Sequence, residues 1–288
     1  TAKVLICDND NVVPNNTDTG MRGTWGFMAP EIVQGNHPTE LTDRHSMAVL
    51  IFMLLFKVHP LEGMKTYEST FTENERVRIY GEDPLFVFDP TDLSNMLEPQ
   101  TYRATMRFWE QMPSYMRDLF ERAFSQEALH DGSRRPLDVE WALALARLRS
   151  EIQLCPCGEA ELIITGGRSD TCELCGRTVS PQLMIDLGPQ AGYAVPALFD
   201  TRIYACQTRV TSPARALEPE GWVLQSRDDP SLVGLRNMTQ GTWTATREDG
   251  RSARIAPGDV VPLEAGMTIL GPRHFKLTCV RAKEEGER

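Results

Sequence analysis

The sequence predicts a multidomain α+β protein with a mainly α-helical first half, a four-cysteine metal-binding ribbon and a C-terminal antiparallel β-sandwich. Three observations carry that expectation. Apolar residues recur at helical spacing through much of the first 150 residues, four cysteines stand in two close pairs just beyond, and from about 190 short β-prone runs alternate with turn signals. One core rarely serves more than roughly 100–200 residues, so the 288 residues are expected to divide into 1–150, 151–186 and 190–282.

Composition narrows the function classes. The chain is 41% hydrophobic and 24% charged, enough apolar material to offset the entropy of ordering a chain. Its formal net charge of −10 argues against a large nonspecific nucleic-acid footprint, which needs clustered cations to displace counterions. Protein or nucleotide partners are expected instead. The longest apolar run, 47–56, is ten residues, about half a bilayer span, and reads as a buried helix. No basic stretch leads into an apolar export signal, so a cytoplasmic location without membrane contact is expected.

Within the first segment, 46–56 is the core helix, 101–125 is amphipathic, and 139–148 repeats Trp141, Leu143, Leu145 and Leu148 in helical fashion. The stretch 57–100, rich in Pro, Asp and Asn, is expected to be irregular.

Several phrases in this segment fall in a telling order. Val4-Leu5-Ile6-Cys7 ends on Asp8-Asn9-Asp10, and Gly23-Thr24-Trp25-Gly26-Phe27-Met28-Ala29-Pro30-Glu31 follows. Then come Leu41-Thr42-Asp43-Arg44-His45-Ser46-Met47-Ala48-Val49 and Asp131-Gly132-Ser133-Arg134-Arg135-Pro136. Together they resemble the activation segment, central helix and last-helix approach of a Ser/Thr protein kinase C-lobe. The resemblance implies that Asp8 binds Mg²⁺ and so the phosphates of ATP. Asn9 and Asp10 replace the family's Phe and Gly, and Asp10 could add a second carboxylate. Thr24 matches a threonine that contacts the catalytic base. Glu31 is expected to form a buried bidentate pair with Arg135, an architectural role suited to the planar guanidinium fork. Asp43 would cap the central helix or bind the backbone of the catalytic loop. Thr17, Thr19 and Thr24 are candidate phosphorylation sites, or simply polar loop residues.

Two further phrases, His59-Pro60-Leu61-Glu62-Gly63 and Tyr80-Gly81-Glu82-Asp83-Pro84-Leu85-Phe86-Val87-Phe88-Asp89-Pro90, resemble a bacterial kinase-like subfamily. Its members are associated with von Willebrand factor A proteins and a metal-dependent protein phosphatase in tellurite-resistance-type stress systems, which implies such partners here. Only seven residues precede Asp8, so a glycine-rich phosphate loop, its lysine and a catalytic loop are not within the 288 residues. The chain by itself is therefore expected to be inactive. Two readings follow: the C-terminal portion of an active kinase, or a pseudokinase-like scaffold for protein partners.

Cys155-Pro156-Cys157-Gly158 and Cys172-Glu173-Leu174-Cys175-Gly176 are separated by fourteen residues containing a β-prone run and the turn Gly166-Gly167. Four thiolates from two knuckles make the soft tetrahedral site that Zn²⁺ prefers, and four cysteines close its coordination shell, so a structural role is expected. Glu159, Glu161, Asp170 and Glu173 around them would repel a phosphate backbone.

Beyond 190, the runs 201–207, 221–225, 232–237, 242–246, 253–255 and 275–280 read as strands of a sandwich. Val233-Gly234-Leu235-Arg236-Asn237, Trp243 and the stretch 257–263 resemble forkhead-associated-like domains, which bind phosphothreonine. The Arg and Ser-x-x-His clamp of that family has no counterpart at matching positions, and His274 reads as a surface or strand histidine. The resemblance implies a degenerate protein-interaction domain.

Overall fold

In the computed structural model, which describes residues 13–17, 23–67, 69–229, 231–272 and 275–282, the chain divides between Asp138 and Val139 into two units. Asp8, Asn9, Asp10, Thr19 and His274 lie outside the described residues.

The first unit is helical: α1 (Pro30–Val33), α2 (Glu40–Phe56), α3 (Glu73–Val77), α4 (Arg103–Gln111), α5 (Ser114–Ala123) and α6 (Gln126–His130). Helix α2 starts at Thr39, whose hydroxyl accepts from the Leu41 N–H at 3.2 Å, while Thr42 Oγ1 accepts from the Thr39 N–H at 3.0 Å. Thr39 is thus the N-cap, and the capping role expected for Asp43 is corrected. Asp43 sits in the first turn, exposed, where its charge favours the positive helix end. Helix α2 buries His45, Ala48, Val49, Phe52 and Phe56 against an aromatic core. Phe52 meets Phe86, Phe120 and Phe124 within 6.1 Å, and Phe88 stacks flat on Trp109 at 4.4 Å. Each such pair adds about 0.5–1.5 kcal/mol beyond its area.

The amphipathic stretch 101–125 is two helices. Pro113 has no N–H to continue α4 and disfavours helical geometry at Met112, whose ψ of 133° is extended. Within 57–100, α3 runs into a π-helical turn, Arg78–Glu82. Buried Asn95 organises the rest, accepting from the Gly63 and Lys65 N–H groups and donating to the Leu61 and Leu85 carbonyls.

The second unit opens with α7 (Asp138–Glu151), which runs directly into a small pair of hairpins. Strand β1 (Ile152–Leu154) pairs antiparallel with β2 (Glu161–Ile163), and β3 (Asp170–Thr171) with β4 (Thr178–Val179). Two larger antiparallel sheets follow. Six strands lie in the order β11 (Ser252–Ile255), β10 (Trp243–Thr246), β13 (Thr268–Leu270), β14 (Lys276–Arg281), β5 (Leu183–Asp186) and β6 (Ala194–Pro196). Four lie in the order β12 (Val260–Pro262), β9 (Val233–Asn237), β8 (Pro219–Gln225) and β7 (Arg202–Tyr204).

Inward residues of both sheets form one core, including Ile185, Ile203, Val223, Leu235 and Ile269, with Trp243 edge-on to Phe275 at 5.8 Å. Strand β5 lies inside the range expected for the ribbon, yet it pairs with β14 and β6, because Ile185 belongs to this core. The strand expected over 201–207 stops at Tyr204, and residues 205–207 belong instead to a helical turn, α8 (Ala205–Thr208), closed by Gln207 Oε1 accepting from the Tyr204 N–H at 2.6 Å. Helix α7 is fastened to the sandwich: Ser150 donates to the Arg202 carbonyl, and the Arg147 guanidinium lies 4.2 Å over the Tyr193 ring. Gln153, on β1, extends the link by donating to Thr201. Among the described residues, no helix is long and apolar enough to cross a membrane.

Candidate functional site

Each cysteine pair occupies the turn of its own hairpin. Cys155 and Cys157 stand between β1 and β2, Cys172 and Cys175 between β3 and β4. The two turns close alike: the Gly158 N–H donates to the Cys155 carbonyl and the Gly176 N–H to the Cys172 carbonyl, both at 2.8 Å. Gly158 and Gly176 adopt φ of 81° and 71°, a left-handed region where a side chain is strained. Local geometry thus turns all four sulfurs toward one point.

The four Sγ atoms lie within 4.8 Å of one another, with Cys155 to Cys175 at 3.6 Å and Cys157 to Cys172 at 3.8 Å. A tetrahedral ion with thiolates about 2.3 Å away would separate its ligands by about 3.8 Å. The cluster therefore fits a metal ion, with Cys155 and Cys172 buried, Cys157 half-buried and Cys175 exposed. The backbone N–H of Cys175, with that of Leu174, helps pull the Cys172 thiol down to about 7. Cys155 moves up to about 12: the Cys157 N–H lowers it, but burial and the neighbouring thiols outweigh that. A bound cation deprotonates coordinating thiols outright, which removes this asymmetry. A small core of Cys155, Leu162, Ile164 and Cys172 underlies the site.

In the first unit, Glu31 on α1 and Arg135 are brought together across 104 residues. Arg135 donates through both terminal nitrogens to the two Glu31 oxygens, at 2.7 and 2.8 Å. It also donates to the Ala128 and Leu41 carbonyls. The Arg135 side chain is 1% exposed, so these bonds replace its hydration. The pair ties α1 to the start of α2 and the end of α6.

The loop before α1 is held from two sides. Ser46 on α2 donates to the Phe27 carbonyl at 2.7 Å, and His59 Nε2 lies 2.8 Å from the Gly26 carbonyl. His59 Nδ1 accepts from the Leu61 N–H at 3.1 Å, so the ring is the neutral tautomer with its proton on Nε2. Burial, which lowers the His59 pKa, agrees with that state and outweighs the nearby Glu62 carboxylate. Gly26 has φ of 76°, and a Cβ there would approach His59 Nε2 to 3.2 Å. Thr24 is exposed beside this loop and lines an open pocket of about 710 Å³ with Trp25, Lys57, Glu62, Arg76 and Tyr80.

Asn95, His59 and the Tyr80–Glu62 hydrogen bond of 2.5 Å are organising residues to which sequence reasoning gave no role. The phrases containing His59, Glu62 and Tyr80 were conspicuous, but only the folded chain brings them under Gly26. Nothing among family models, curated proteins or solved structures matched this chain in comparison.

Proposed function

We propose that this chain is the C-terminal part of a Ser/Thr protein kinase-like signalling protein, its first unit being the activation segment and C-lobe. The observation that carries the reading is the bidentate Glu31–Arg135 pair, because two residues 104 apart meet as the family's pattern of motifs requires. Ser46 gripping the Phe27 carbonyl adds support, since it fixes the loop that displays Thr24. Leu50 and Leu54 on α2 are 49% and 60% exposed, an apolar strip suited to covering by further helices of a longer gene product.

In this reading Asp8 holds Mg²⁺ against ATP and Thr24 helps present the acceptor hydroxyl. The four cysteines hold a structural Zn²⁺, and the sandwich, degenerate and forkhead-associated-like, recruits protein partners. The test is phosphotransfer from labelled Mg-ATP by the complete gene product to serine or threonine hydroxyls. Transfer is expected; its absence at any substrate or metal concentration moves the assignment to a non-catalytic scaffold.

A further inference from the structure

The pocket beside Thr24 has an unbalanced charge. Its described charged walls are Lys57, Arg76 and Glu62. Glu62 is engaged: it accepts from the Tyr80 hydroxyl at 2.5 Å and lies 3.5 Å from His59 Nδ1. Among the described residues neither cation has a carboxylate partner. Lys57 ends α2 in the left-handed region, φ 61°, with its side chain exposed, and no carboxylate among the described residues pairs with it. The Arg76 guanidinium lies 6.0 Å from the Trp25 ring, a cation–π distance that leaves its N–H donors for another acceptor. Trp25 and Tyr80 supply aromatic wall between them.

We propose that this pocket recognises an acidic peptide, with carboxylates paired to Lys57 and Arg76 and an apolar side chain against Trp25 and Tyr80. The peptide hydroxyl next to those carboxylates then lies at Thr24, so the substrate class is a serine or threonine followed by acidic residues. That last step rests on the kinase reading; the recognition itself rests on the pocket's charge. Two cations on separate elements, set around aromatic surface, favour a carboxylate-bearing chain over a neutral or basic one.

Fluorescence anisotropy with the 288-residue chain tests this without requiring catalysis. The probes are fluorescein-labelled Gly-Ala-Thr-Glu-Glu-Phe-Ala-Gly and its counterpart with both Glu replaced by Lys. The acidic peptide is expected to bind at least ~10-fold more tightly at low salt, with the difference shrinking as salt rises. The K57E/R76E variant should lose that preference, and the milder K57Q/R76Q variant should weaken it in the same direction with an unchanged circular dichroism spectrum. Equal binding of the two peptides, no binding of either, or a preference that survives both variants overturns the proposal. Acidic-peptide binding by this chain alongside an inactive complete gene product would uphold the pocket and remove the kinase reading. Phosphotransfer with no charge preference would do the reverse.

Discussion

At the scale of single residues, the strongest demands come from buried groups that cannot reach water. Arg135 satisfies its guanidinium with Glu31 and two carbonyls, so truncating it removes the hydrogen bonds that join α1, α2 and α6. Breaking a buried pair typically costs about 3–5 kcal/mol. Arg135→Ala is expected to destabilise the first unit by about that much in urea titrations, and Arg135→Lys by a large part of it, because an ammonium lacks the planar fork. A cost below about 1 kcal/mol for Arg135→Ala would mean that the pair is not the fastening described. His45 presents a different demand. It is buried edge-on to Phe124, neither ring nitrogen has a hydrogen-bond partner, and burial, helped by Arg135, lowers its pKa to about 3. Unfolded, the same ring takes up a proton near its ordinary value of 6.5. Between those values the unfolded chain binds more protons, so this contribution to stability is present above 6.5 and is lost as pH falls toward about 3. His45→Leu should flatten the pH dependence of unfolding in that window by close to one proton, and an unchanged slope would contradict the assignment.

At the scale of elements, the sequence made some features legible and concealed others for physical reasons. The cysteine cluster was readable because its ligands are close in sequence and their chemistry is specific. The Glu31–Arg135 pairing was readable only through the resemblance to a kinase C-lobe, since no local rule links residues so far apart. Helix periodicity located α2 and α7 but merged α4 with α5, although Pro113 marked the break. Strand β5 was concealed because it is short, stands near the cysteines and acquires its partners β14 and β6 only on folding. Of the two roles open to Asp43, capping of α2 falls to Thr39 instead, since both are capping types and the backbone enters the helix at the earlier one. For the ribbon, we expect close to one equivalent of zinc per chain by elemental analysis. Cys172→Ser should reduce that to below about half, because three thiolates leave the coordination shell open. A metal-free chain with an unaltered ribbon by hydrogen exchange would show that the hairpins hold without an ion.

At the scale of the molecule, the two units carry separate cores, and α7 belongs with the second through Ser150 and Arg147. Calorimetry is therefore expected to resolve two transitions. Arg135→Ala should lower one of them, and chelation of metal should lower the other. Coincident shifts under both treatments would mean that the units unfold as one. The functional account depends on the first unit being part of a phosphotransfer enzyme. The most direct measurement compares labelled phosphate transfer from Mg-ATP by the complete gene product, its Asp8→Asn variant and the 288-residue chain. Transfer by the complete product alone is the predicted result, and equal transfer by the Asp8→Asn variant, or none by any sample, would contradict it.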